Sequence, residues 1–263
     1  MVIDIHTHVF PQEIGPAILS ELSGRAPIQH YTDGSVQSLV QSMGRSGISI
    51  SLISRITTQV EKVPDVNSWL LESAREGIQP LATIHPETPC LEDYLVKLKS
   101  QGFKGIKLHL DYQGFYADES RMFPVYEAAQ FLQLPVLFHA GLDRGLPPPI
   151  RATPERLLKI HRQFPGLVMI AAHMGGEDNY DETENFLLGK EVYLDTAYVL
   201  RIMGEGTLRR FFSKHPVERV LFGTDSPFKD QATELGYFQG LKFLTEGQKE
   251  KVLGENAAAL FQL

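Results

Sequence analysis

Residues 2–11 read Val2-Ile3-Asp4-Ile5-His6-Thr7-His8-Val9-Phe10-Pro11. A β-branched run passes into His-Thr-His and then into proline, with no glycine-rich turn. An open, doubly wound sheet usually carries a glycine-rich phosphate turn after its first strand. Its absence here favours a closed barrel. Working outward, seven further short apolar runs follow at residues 48–56, 79–85, 104–109, 135–139, 167–173, 191–195 and 219–225. Most are almost continuously apolar, as parallel strands buried on both faces must be. Between them lie segments with helical patterning and recognisable ends. Residues 35–45 open at Ser35 and stop at Gly47, residues 65–76 stop at Gly77, and residues 91–100 stop at Gly102. Thr153 precedes Pro154 as an N-cap precedes a first-turn proline. Residues 120–132, 153–162, 207–213 and 233–244 complete the set, and residues 245–263 predict a last helix. Eight strand–helix units predict an α/β fold: a single (β/α)8 TIM-type barrel domain over residues 1–263, with a C-terminal helix.

Composition limits what such a barrel does. The chain has 43% hydrophobic residues, enough for a large core, and 25 Lys+Arg against 32 Asp+Glu, a net charge of −7. That balance argues against a nucleic-acid partner, which needs a basic face. The one cysteine, Cys90, excludes an internal disulfide and a thiolate zinc cage. No run approaches the roughly 18 apolar residues of a membrane span. The start has no basic segment before its apolar run, so a cytoplasmic location is expected.

The nine histidines are informative by position. His6, His85, His109, His139 and His173 each close a predicted strand, and Asp225 closes the eighth. The C-terminal strand ends of a parallel barrel converge on one rim, where active sites are built. His6 and His8 are two residues apart, so in a strand both point to one face and reach one ion. Imidazole suits first-row divalent ions. His139 and Asp225 are the best candidates to complete the set. His173 is expected to orient or deprotonate the attacking water, with direct ligation as the alternative. Asp225 serves as ligand, as proton acceptor, or as both. Lys107 either plugs the barrel or bridges a second metal as a carbamate, and His109 either meets substrate or bonds within its loop. His85 is expected to be structural. His30, His161 and His215 are expected on the surface.

The stretches IDIHTH, GIKLHLDYQGF, PVLFHAG, IAAHMGG, VYLDTAY, LFGTDSPF and KVLGENAAALF occur in this order from residue 3 to residue 261. Together they resemble the amidohydrolase superfamily, in the branch of aminocarboxymuconate semialdehyde decarboxylase and related metal-dependent hydrolases. The resemblance implies a distorted TIM barrel holding one divalent metal, with Zn2+ the expected ion and a second metal left open. It implies His6, His8, His139 and Asp225 as ligands and His173 as the catalytic histidine beside the metal's water.

Substrate contacts should come from the loops after the strands. Arg55, Arg144 and Arg201 follow strand ends, and arginine suits carboxylate capture. His109, Tyr112 and Gln113, with Phe115 and Tyr116, follow the fourth strand and could wall a planar ligand. Asp195 and Thr196 are expected to support a ligand histidine, and residues 10–31 to fold over the mouth. The expected partner is a small anionic substrate, with no nucleic acid and no membrane. A homo-oligomer stays open. The leading activity is a hydrolase working through metal-activated water. Non-oxidative decarboxylation on the same residues is the alternative, and a non-catalytic binding barrel the third reading.

Overall fold

Nine short strands form the ladders of the computed structural model, which describes residues 1–26 and 28–263. Pro27, inside the segment expected to cover the mouth, lies outside the described residues. The strands are β1 (Ile3–His8), β2 (Ile50–Ser54), β3 (Ile78–Pro80), β4 (Ala82–Thr83), β5 (Ile106–Leu108), β6 (Val136–Phe138), β7 (Met169–Ala171), β8 (Tyr193–Asp195) and β9 (Val220–Leu221). Every ladder is parallel. β3 and β4 are one barrel strand interrupted at Leu81. There the backbone changes partner: Leu81 N donates to Ile53 O at 2.9 Å, while Ala82 N donates to Gly105 O at 2.8 Å. The last unit closes onto the first, with Ile5 N donating to Phe222 O at 3.0 Å and Asp225 N to His6 O at 2.8 Å. The eight units therefore form a closed (β/α)8 barrel, as the alternating pattern predicts.

The ladders are shorter than the apolar runs, because flanking residues pack on the barrel without pairing. β1 instead runs on to His8, so His6 is not its last residue. The helices are α1 (Gly15–Arg25), α2 (Val36–Ser46), α3 (Val63–Ser73), α4 (Leu91–Ser100), α5 (Leu110–Gln113), α6 (Phe123–Leu132), α7 (Pro154–Gln163), α8 (Tyr180–Phe186), α9 (Gly204–Lys214), α10 (Gln231–Gln239), α11 (Glu246–Glu250) and α12 (Asn256–Phe261). Two expected caps form: Ser35 Oγ accepts from Ser38 N, and Thr153 Oγ1 accepts from Arg156 N. Each such cap contributes about 1 kcal/mol. α5 and α8 have no counterpart among the expected segments. The tail is two helices joined by a π turn, Lys251–Glu255, rather than one.

The barrel interior is filled by Ile3, Ile5, Leu52, Leu81, Leu137, Ile170 and Leu221, and α12 adds Ala257 and Phe261 to this cluster. Burying each large side chain contributes roughly 1.5–3 kcal/mol. The approach of the tail to the chain start is close enough that a Cβ on Gly254 would meet Met1 O at 2.2 Å.

β1 carries an irregularity that matters for the site. Its register against β2 shifts between Asp4 and Thr7. Before the shift Ile3 and Ile5 belong to the interior cluster. After it His6 and His8 line the mouth. Asp4 faces the other way, accepting hydrogen bonds from Thr224 and Gln231. Burial pushes the Asp4 carboxyl up to about 6, against those bonds.

Candidate metal centre and cavity

A cavity of about 470 Å³ opens at the C-terminal ends of the strands. Its floor holds most of the residues that the histidine pattern singles out. His6, His8 and Asp225 bring ligand atoms within 4.8 Å of one another. Asp225 Oδ1 lies 3.3 Å from His6 Nε2 and 3.1 Å from His8 Nε2. Burial pushes the Asp225 carboxyl up. The hydrogen bond from His8 and the imidazoles of His6, His8 and His173 outweigh it and hold the group well below the ordinary carboxylate range. Burial drives His6 well below its usual value, with Lys107 adding to the effect, and lowers His8 as well. Neutral imidazoles and an ionised carboxylate are the protonation states that ligate a cation.

The backbone beneath these groups is held in sparsely populated conformations. Asp225, His173 and Tyr198 have φ of 72°, 58° and 69°. Left-handed non-glycine residues cost free energy and persist where surrounding structure fixes them.

Asp195, at the end of β8, fixes two histidines at once. Its Oδ2 lies 2.7 Å from His6 Nδ1, and its Oδ1 accepts from His173 N at 2.8 Å. A proton on His6 Nδ1 leaves the Nε2 lone pair free to ligate, the arrangement that supporting carboxylates give to ligand histidines; here Lys107 Nζ donates to it at 2.8 Å, with Asp225 Oδ1 at 3.3 Å. Thr196 does something else: it donates to Gly223 O at 2.9 Å and pins the neighbouring strand end.

His173 Nδ1 donates to Ala197 O at 2.9 Å, so Nε2 is the ring's acceptor, 3.0 Å from His139 Nδ1. His139 is not grouped with His6, His8 and Asp225. Its ring stacks on His109 with centroids 4.0 Å apart and planes 8° apart. Its Nε2 is buried without a hydrogen-bond partner among the described residues. His109 Nε2 faces Asp143 Oδ2 at 3.0 Å. Asp143 was not anticipated: it lies in an ordinary-looking loop, and only the fold brings it to His109.

Lys107 is fully buried, with Nζ 2.8 Å from His6 Nε2. Burial lowers it to about 8, while Asp195 and Asp225 pull the other way. The residues fit a divalent cation at His6, His8 and Asp225 on condition that the Lys107 ammonium turns aside from the His6 lone pair.

The remaining candidates separate clearly. Arg55, Arg144, His109 and Tyr112 line the cavity. Arg144 is engaged, with Nε 2.6 Å from Glu177 Oε1 and Nη2 2.7 Å from Asp178 Oδ2. Gln113 does not face the cavity. Its Oε1 accepts from His109 N at 3.1 Å and its Nε2 donates to Ile84 O at 2.8 Å, because the α5 turn points it into the wall. Arg201 is exposed on the turn after β8, outside the cavity lining. Phe115 is buried in the core, edge-on to His85. Tyr116 lies under the guanidinium groups of Arg151 and Arg156. α1 contributes Ile18, Glu21, Leu22 and Arg25 to the wall of the cavity, so the segment expected to fold over the mouth reaches its side.

Of the three histidines expected on the surface, His30 is exposed and His161 half-buried. His215 is a correction: it is buried, and its Nδ1 accepts from Gly189 N at 3.2 Å. The turn after α9 folds it against the loop before β8.

The family model described as amidohydrolase matches residues 3–263. No curated protein matches the chain. Among solved structures, an uncharacterised TIM-barrel protein from Bordetella bronchiseptica is similar, with a TM-score of 0.79 at 17% identity over 99% of this chain and 98% of that one. A dihydroxybenzoic acid decarboxylase from Polaromonas, bound to manganese and 2-nitroresorcinol, has a TM-score of 0.74 at 19% identity over 100% and 97%. A 5-carboxyvanillate decarboxylase from Novosphingobium aromaticivorans, with manganese, has 0.73 at 16% over 100% and 97%. No helix of the described residues is long and apolar enough to cross a membrane.

Proposed function

We propose, from the premise that this chain belongs to the amidohydrolase family, that it is a metal-dependent hydrolase acting on a small anionic substrate. The observation that carries this reading is the meeting of His6, His8 and Asp225 from opposite ends of the chain, beside a histidine whose acceptor nitrogen is fixed. A divalent cation held there supplies Lewis acidity to the reacting oxygen. Asp195 orients His6. His173, kept in one tautomer by Ala197 O, accepts a proton at Nε2 from the attacking water and returns it to the leaving group. Ile18 and Leu22 of α1 give one wall of the cavity an apolar surface. In this structure His139 Nδ1 occupies the same Nε2 lone pair at 3.0 Å, so His139 must turn away before His173 can take the proton; the unpartnered Nε2 of His139 leaves a ligand role open to it.

Decarboxylation is the second reading. The names of the two manganese-containing neighbours favour it; His173 would then first take up a proton from solvent at Nε2 and pass it to the ring carbon as the carbon–carboxylate bond breaks and carbon dioxide leaves. Both zinc and manganese suit a site of two imidazoles and a carboxylate. A freely diffusing small substrate in the cytoplasm, without nucleic-acid or membrane partners, completes the proposal.

The test is product analysis on zinc- and manganese-loaded protein, offered lactones, amides and hydroxylated aromatic acids. Hydrolytic ring or amide opening is the expected result. Release of carbon dioxide would transfer the assignment to the second reading. Inertness of fully loaded protein across the panel would overturn both.

A further inference from the structure

We propose that Arg55 anchors a carboxylate of the substrate, remote from the reacting group, and so selects for planar acids carrying a second anionic substituent. The proposal rests on the mouth being the catalytic site, and it distinguishes among three arginines that the sequence leaves equivalent.

The charges around the cavity are almost all matched. Arg25 pairs with Glu21. Arg144 is held by Glu177 and Asp178. Asp143 faces His109, and Asp225 faces His6 and His8. Arg55 differs. It lines the same cavity and is half-buried. Among the described residues it has no carboxylate partner. What it has is an aromatic one: its Cζ lies 5.7 Å from the Trp69 ring centroid. Burial alone lowers the guanidinium from its usual value, with no opposing charge.

A half-buried, uncompensated cation is costly unless something anionic joins it. An aromatic face restrains the planar guanidinium and leaves its edge free, and that edge matches a carboxylate bidentately. Arg55 also shares its cavity with His6, His8 and Asp225. It follows Ser54, whose Oγ is 3.3 Å from His8 Nδ1. The body between the two polar ends would lie among Phe10, Leu22, Ile56, Tyr112 and Phe228, which line the cavity. Apolar and aromatic walls with a few fixed polar groups are the usual make-up of a small-molecule site.

The test compares benzene-1,3-dicarboxylate with benzoate by calorimetric titration of the metal-loaded protein at constant ionic strength. Wild type should bind the dicarboxylate about tenfold to a hundredfold more tightly, the gain expected of one charged hydrogen-bonded pair. Arg55→Met should abolish that difference, and Arg55→Lys should restore part of it. Arg162→Met, which removes the same charge from an exposed site outside the cavity, should leave it intact. Equal affinity of the two probes for wild type, or a difference that survives in folded Arg55→Met or Arg55→Gln, overturns the proposal. Metal content measured on the same samples keeps the two readings apart. Protein that takes up no metal but keeps the probe difference sinks the catalytic assignment and spares Arg55. Loaded, active protein without the difference does the reverse.

Discussion

His6 and His173 stand about 5 Å apart, ring to ring, and the roles assigned to them differ. His6→Ala removes an imidazole facing Asp225, so bound metal and turnover should fall together. His173→Ala should keep most of the metal while kcat falls by about 10²–10⁴, the usual weight of a positioned acid or base. Elemental analysis beside steady-state rates separates the two. Metal lost from His173→Ala would make that residue a ligand. That His6, His8, His173 and Asp225 come together was legible in the sequence, because they are chemically distinctive and lie at or near the ends of apolar runs. Asp143 and Glu177 were not, because a loop carboxylate gives no local sign of the partner that the fold will bring to it. Gln113 misled for a related reason: its position in the fourth-strand loop was readable, but the direction of one side chain on a four-residue helix was not.

Among the elements, the loops after β6 and β7 are locked to each other. Leu142 N donates to Glu177 O at 2.9 Å, and Glu177 N donates to Ala140 O at 2.9 Å. Gly141 makes this approach possible. Its φ is 85°, and an added Cβ would lie 2.2 Å from Glu177 N and 2.4 Å from Glu177 O. Gly141→Ala should therefore destabilise the fold by roughly 2–4 kcal/mol, the sum expected of an incompatible backbone and an overpacked contact. A lowered urea midpoint at unchanged slope would check this; an unchanged midpoint would mean that the two loops separate at little cost. Element positions were well foretold where caps and stop signals exist, as at Ser35, Gly47 and Thr153. They were poorly foretold at β3 and β4, where Leu81 changes partner within one apolar run. The π turn in the tail is equally silent, since helical spacing continues through it.

For the molecule as a whole, acid sensitivity follows from buried groups away from the mouth. Burial lowers His215 from 6.5 to about 4. Between those values the unfolded chain carries a proton there that the folded one does not. Stability from this residue is thus complete above pH 6.5 and lost as pH falls toward 4, by up to about 3 kcal/mol. Asp4, raised to about 6, has the opposite sign: its contribution is present at low pH and lost as pH rises. Subtracting the stability profile of His215→Gln from that of wild type isolates the histidine. A flat difference between pH 7 and pH 4 would show that His215 titrates normally. The surface location expected for His215 follows from its place in a loop or helix segment outside the strand runs, and nothing local reveals that this turn is folded inward.

The register shift in β1 has a consequence for how the gene can vary. Ile3 and Ile5 fill the interior below it, and His6 and His8 face the opening above it. Strand side chains alternate, so adding one codon between Ile5 and His6 would turn Thr7 toward the opening and both imidazoles away. Adding two would restore the parity. Exchanges among Ile, Val and Leu at the lower positions should be absorbed, whereas a change of length by one should abolish function while leaving the composition of the chain almost untouched.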